Sequence, residues 1–337
     1  MWIGDAVGHH VHPRVLGLGE VMDYVNVLGA SQEIFKKLEL FHGKVIDEHS
    51  PSLTGQQLQA YALASITTDH ESTTYEQAIE RARAGMSVLI REGSASKNLD
   101  AIVEGIVCNQ VSTDNFAFCT DDMHIEDIQR KGTIHYNVRR SVALGIPPVT
   151  AIKMATINAT KIYGLEHIGN IAPGFMADIV VLDNLDDFKI NRVFKSGIDV
   201  TNWRAPKYDK TARRYKNSIQ IAKLKPDQFV LPEYEGESYP VIKIIDGQII
   251  TEKSEVAAER IQNELQSGNL CKIAVLERHH ATGHFAVALL ENYGLQRGAI
   301  ATSFAHDSHN VIAVGLNDMN MCFILRNIQK HGGIYHA

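Results

Sequence analysis

Cysteine is scarce in this 337-residue chain: its four copies, Cys108, Cys119, Cys271 and Cys322, stand far apart, with no C-x-x-C pair. That spacing argues against a thiolate zinc site, offers no disulfide framework, and fits a reducing cytoplasm. Long apolar runs are also missing. No stretch approaches the roughly 20 residues a membrane helix needs, and the opening MWIGDAVGHH lacks the basic-then-apolar order of a secretion signal. Positive charge is not in excess either, with 33 Lys and Arg against 39 Asp and Glu for a net charge of -6. No basic stripe for nucleic acid is therefore expected. Internal repeats and low-complexity tracts are absent as well.

What is present is the composition of a soluble enzyme, 45% hydrophobic and 21% charged, with length enough for two or more cores. Five short β-type runs stand out: VLGLGE at 15–20, KVIDEH at 44–49, SITTDH at 65–70, SVLIRE at 87–92 and AFCTDD at 117–122. Between them, residues 31–40, 55–64, 75–86 and 99–107 carry apolar side chains three and four apart, as in Ala78, Ile79, Ala82 and Met86. Alternation of this kind predicts successive βα units of a parallel barrel, in which the C-terminal strand ends form the reaction face. A long helix is predicted from Asp122 through Arg140 and, after Pro147 and Pro148, a second over about 150–160. From Ile168 to Val200 the period becomes two, with a Pro-Gly turn feeding a strand that ends at Leu182 and a hairpin partner over 192–197. The expected class is α/β: a partial TIM-type (β/α) barrel over 1–165, a small β-sandwich-type domain over 166–201, a connection over 202–238, and a C-terminal α/β domain over 239–337.

Every predicted barrel strand ends in ionisable residues. Glu20, His49, His70 and Asp121 form the sharpest set, because imidazole nitrogens and carboxylate oxygens at separate strand ends can jointly hold divalent ions. A single His or Asp there often just caps a helix or satisfies a loop. Four, each on its own βα unit, point instead to a metal site. Glu71 follows His70 directly, and Arg91, Glu92 and Ser94 follow the next strand, so both loops are candidates to touch a substrate, the plainer alternative being a structural ion pair at the rim. His306, Asp307 and His309 lie in a polar HDSHN segment between apolar runs, which reads either as a closing loop or as an Asp/Asn-stabilised turn.

Several segments resemble the adenine deaminases of the amidohydrolase superfamily: HPRVLGLGEVMDY from His12, IREGSASKNL from Ile90, CTDD from Cys119, GNIAPG from Gly169, ERHHATG from Glu277 and HDSHN from His306. The similarity spans nearly the whole chain. It implies that the predicted strands are numbers four to eight of the barrel and that Glu20 bridges two metals. It further implies that His49 and His70 bind one metal, while Asp121 binds the other and shuttles protons. Glu71 would protonate a ring nitrogen, with Arg91 orienting an acidic neighbour. The implied reaction is hydrolysis of adenine to hypoxanthine and ammonia by a metal-activated hydroxide. Manganese or iron is the favoured ion, with zinc also compatible, and the intact family is binuclear. A homodimer is expected, with adenine as substrate and neither nucleic acid nor membrane as partner.

The resemblance also requires a His-x-His pair upstream of the bridging carboxylate. His10 and His12 do not suit, because only seven residues separate His12 from Glu20 and place the pair at the bottom of its strand. The chain is therefore expected to be short of its first three barrel strands, and to stop early after Gly333. Two other readings stay open: an amidohydrolase of cyclic amides such as hydantoins, and an inactive fragment. Glu20 weighs against the former, whose members often bridge their metals through a modified lysine.

Overall fold

The computed structural model describes residues 10–50, 53–204, 218–248, 250–305 and 308–332. The chain forms two compact units, Met1–Pro206 and Lys207–Ala337.

The first unit follows the predicted βα alternation. It runs β1 (Gly17–Val21), α1 (Tyr24–Leu28), α2 (Gln32–Leu40), β2 (Val45–Glu48), α3 (Gly55–Leu63) and β3 (Thr68–Asp69), then α4 (Tyr75–Arg83), β4 (Ser87–Arg91), α5 (Leu99–Asn109) and β5 (Phe116–Cys119). β1 pairs with β2 in parallel, and β3, β4 and β5 form a second parallel sheet in that order. The four residues after Ser87 in β4 are all buried, the pattern of a strand enclosed on both faces, and this is why the run is continuously apolar rather than alternating. α5 buries Leu99, Ile102, Val103 and Ile106 against Val88, Ile90, Phe116 and Phe118. Full burial of each such side chain contributes roughly 1.5–3 kcal/mol. α4 starts where Thr74 accepts a hydrogen bond from the Gln77 N–H.

Between β2 and β3 the ladder gives way to another kind of joint. The Thr67 N–H donates to the Ile46 carbonyl at 3.0 Å, and the Thr67 hydroxyl accepts from the Ile46 N–H at 3.3 Å. On the neighbouring residues the Thr68 hydroxyl donates to Asp47 Oδ1 at 2.5 Å. Side-chain bonds thus supplement a single backbone bond at this seam.

After β5 come α6 (Ile125–Lys131), α7 (Ile134–Ala143), α8 (Pro148–Ala155) and α9 (Ile157–Ile162). The single helix predicted up to Arg140 is broken at Gly132, which takes φ 82° as the helix C-cap, so α6 and α7 are separate. The helix predicted over 150–160 likewise breaks at Thr156, whose hydroxyl donates back to the Ile152 carbonyl at 2.7 Å. β6 (Ile179–Leu182), β7 (Ile190–Lys195) and β8 (Ile198–Asp199) form a three-stranded antiparallel sheet within the same unit.

The second unit holds β9 (Ser238–Ile244), β10 (Thr251–Ala257), α10 (Ile261–Ser267), β11 (Leu270–Leu276), β12 (Phe285–Glu291), β13 (Ala299–Thr302), β14 (Val311–Gly315) and α11 (Asp318–His331). Its strands order as β10-β9-β12-β11-β14-β13, antiparallel except where β12 meets β9. α11 packs Met321, Cys322, Ile324, Leu325 and Ile328 on Ala274, Leu276, Val311 and Ala313. Ile219, Ile221, Leu224 and Phe229 join that core, although the sequence reads their segment as a connection. Their backbone is irregular apart from one short 3-10 turn, so no hydrophobic period marks them. Among the described residues, no helix is long and apolar enough to cross a membrane.

Candidate metal centre

The site grows from the C-terminal ends of the parallel strands. β1 and β2 keep register at Leu18 with Ile46 and resume it at Val21 with Glu48, so Gly19 and Glu20 together face one residue across the pair. A bulge of this kind re-aims a side chain. Glu20 takes a left-handed backbone there, φ 30°, and Asp121, two residues past β5, does so at φ 52°. Non-glycine residues held in this region cost of order 1–3 kcal/mol and cluster at functional sites.

His49 and His70 each stand one residue past a strand end, after Glu48 and Asp69. Their rings meet edge to face with centroids 5.8 Å apart. His49 Nδ1 lies 3.8 Å from Glu20 Oε2, and His70 Nε2 lies 3.9 Å from Glu20 Oε1. Donor atoms from Glu20, His49 and His70 all fall within 4.8 Å of one another, as do those of His70, Glu71 and Asp121. Two ligand atoms each about 2.1 Å from a common ion stand roughly 3–4 Å apart. The spacing and the mixture of imidazole with carboxylate therefore fit a divalent ion of the manganese, iron or zinc type.

Glu71 is buried beside both imidazoles, its Oε1 3.7 Å from His49 Nδ1 and 3.4 Å from His70 Nε2. Arg91, fully buried, grips it: Nη1 donates to Glu71 Oε1 and Nη2 to Oε2 at 3.4 Å, while Nη1 also reaches Asp121 Oδ2 at 2.8 Å. Burial works against the guanidinium charge, but Glu71 first and Asp121 second hold its pKa above the ordinary value. A cavity of about 180 Å³ opens here, lined by Glu20, Asp47, His70, Leu89, Cys119, Asp121 and Tyr163. Burial pushes the Cys119 thiol well up from its ordinary value.

Alternation along the strands sends Glu48 and Asp69 to the opposite face from the histidines. Both carboxyls are fully buried, as is Arg81 of α4, whose Nε lies 2.6 Å from Asp69 Oδ1. Arg81 Nη2 donates to the Ser50 carbonyl at 3.1 Å, and the Ser50 hydroxyl donates to Glu48. Burial, reinforced by the Asp69 charge, pushes Glu48 well above the usual carboxylate range. Burial also works to raise Asp69, yet the hydrogen bond from Glu48 and the charge of Arg81 hold it below its ordinary value.

The other candidates lie elsewhere. Glu92 is buried and paired with Lys131 at 3.3 Å, with burial raising its pKa against the pull of that lysine. The Ser94 hydroxyl donates to Asp127 Oδ2 at 2.6 Å and accepts the His124 N–H, which knits the loops after β4 and β5 together. His309 belongs to the second unit, where its N–H donates to the Ala305 carbonyl at 2.8 Å and its own carbonyl accepts from Arg278. His306 and Asp307 lie outside the described residues. His12 Nδ1 accepts the Arg14 N–H at 3.2 Å, and neither His10 nor His12 joins a donor group among the described residues. Sequence reasoning missed Glu48, Asp69 and Arg81. The available signal was a charged residue three positions after Ala78, on the inward stripe of α4.

The chain matches the amidohydrolase family over residues 32–200 and the adenine deaminase C-terminal domain over 248–337. It is 46% identical over 325 residues to an adenine deaminase of Desulfitobacterium hafniense (strain Y51), covering 96% of this chain and 57% of that protein. With an adenine deaminase of Petrotoga mobilis the identity is 38% over 330 residues, again covering 57% of the relative. The chain thus spans little more than half the length of these relatives. Among solved structures, a beta-aspartyl dipeptidase from Fervidobacterium islandicum AW-1 aligns at a TM-score of 0.44 and 17% identity, over 59% of this chain and 60% of that one.

Proposed function

The chain belongs to the amidohydrolase family, and from that premise we propose that it is built to hydrolyse adenine to hypoxanthine and ammonia. One observation carries the reading: Glu20, His49 and His70 converge at parallel strand ends, beside an Asp121 held by a buried Arg91. Resemblance to adenine deaminases over almost the full chain supplies the substrate. In this reading β1 to β5 are strands four to eight of a (β/α) barrel.

Glu20, His49 and His70 would hold a divalent ion, manganese or iron by preference, in a site that is binuclear in the intact family. When bound, the ion supplies positive charge that makes water acidic enough to attack at neutral pH. Asp121 takes up a proton through its carboxylate and returns it to the departing amine, with Arg91 fixing its orientation. Glu71, gripped by the same guanidinium, is assigned to relay a proton to a purine ring nitrogen. Glu92 and Ser94 shape the loop over the substrate. We place the protein in the cytoplasm, in keeping with cysteines that form no disulfide among the described residues, and as a homodimer, which sedimentation would test.

The deciding experiment incubates the full chain with manganese and adenine and follows hypoxanthine by ultraviolet absorbance. Asp121→Asn is the paired control, because Asn tolerates the left-handed backbone at φ 52° while losing the proton-accepting oxygen. A loss of on the order of 10²–10⁴-fold is expected. Turnover of a hydantoin but not of adenine, or no turnover with less than one metal per chain, would overturn the reading.

A further inference from the structure

Glu20 and His49 belong to the β1–β2 sheet, whereas His70, Glu71, Arg91 and Asp121 belong to the β3–β4–β5 sheet. The separation of the two imidazoles therefore depends on the seam between β2 and β3. Arg81 spans that seam from beneath. On one side it holds the Ser50 carbonyl, one residue beyond His49, and on the other it holds Asp69, one residue before His70. Glu48, the last residue of β2, accepts the Ser50 hydroxyl and so fixes the turn that follows His49.

We propose that Arg81 is a positioning residue for the metal site, clamping the ends of β2 and β3 through the Ser50 carbonyl and the Asp69 carboxylate so that His49 and His70 present their nitrogens at a fixed spacing. This rests on the reading of His49 and His70 as ligands. A residue needed only to neutralise Asp69 would have no use for a hydrogen bond across the seam to Ser50. The planar guanidinium makes the ion pair and the hydrogen bond from one rigid group, which a lysine ammonium on a flexible stem does not.

The test records imidazole signals of the metal-free full chain by proton–nitrogen correlation NMR, with His49 and His70 assigned through H49N and H70N. Two variants are compared. R81K keeps the charge but not the fork, and R81M/D69N removes both charges together so that no unpaired ion is left buried. In both variants the His49 and His70 signals should shift or split while the histidines of the second unit, such as His279, His280 and His284, keep theirs. The manganese concentration that broadens the two signals should rise at least about 10-fold, as for other residues that orient ligands without touching the metal. Unchanged His49 and His70 signals in R81M/D69N would overturn the clamp, as would equal disturbance of every histidine in both variants. Failure of manganese to broaden the wild-type signals would count against the ligand reading alone, since the metal-free spectra still judge the clamp.

Discussion

Arg91 Nη1 donates to Asp121 Oδ2 across 2.8 Å, although the guanidinium is fully buried and the carboxylate is 35% exposed. One rigid group thus ties the innermost acid of the site, Glu71, to the one nearest solvent. Replacing it with lysine keeps the charge and loses the fork. Arg91→Lys should reduce kcat by on the order of 10²-fold through misplacement of Asp121, with manganese content unchanged. Steady-state kinetics beside metal analysis checks this, and an unaltered kcat would refute it.

Glu20 stores backbone strain at φ 30°. Glu20→Gly relieves it and removes a proposed ligand, so stability and function should move in opposite directions. Metal-free protein should gain about 0.5–1 kcal/mol in urea unfolding, while manganese binding is lost in equilibrium dialysis. A destabilised variant would contradict the strain argument.

Gly93 leaves no room for a side chain. A Cβ there would meet Asp122 Oδ1 at 1.8 Å and the Thr120 carbonyl at 2.9 Å. Asp122 in turn accepts the Ala95 N–H at 2.9 Å, so the loops after β4 and β5 move together. Gly93→Ala should cost about 1–3 kcal/mol by overpacking and lower turnover by displacing Asp121. Denaturant unfolding and a kcat measurement on the same preparation test both halves.

In the second unit, hydrogen bonds from the Thr282 N–H, then from the His280 and His279 amides, hold Glu277 down at about 2 despite its small desolvation. A depressed folded pKa stabilises the loop above the unfolded carboxylate value of about 4.3, and that contribution disappears as the pH falls towards the folded value. The Thr282 amide, 3.0 Å from Glu277 Oε2, should therefore stay protected from exchange at pH 4 and lose protection near pH 2. In Glu277→Gln this acid transition should vanish.

Much of the first unit was readable because each strand of the barrel type is an apolar run with an ionisable end. Glu20, His49, His70 and Asp121 could be singled out without coordinates for that reason. The support beneath them could not. Glu48 and Asp69 are acidic residues on a buried face, where patterning expects apolar ones, and the spatial approach of Arg81 helps make them tolerable. The left-handed turn at Glu20 was equally hidden, since nothing in GLGEV marks which residue adopts it. β3 shrank from the predicted run at 65–70 to Thr68–Asp69 because Ser65 turns at φ 69° and Thr67 bonds to β2 partly through its hydroxyl.

The seam at Thr67 has an implication for how the proposed metal site would be altered. A joint made partly by side chains yields more readily than a continuous ladder, so the grip on an ion can be widened or narrowed without rebuilding the backbone. Laboratory selection for a different metal preference should therefore enrich substitutions on the inward side of α4 and at Ser50 and Thr67. The imidazoles themselves would be left intact.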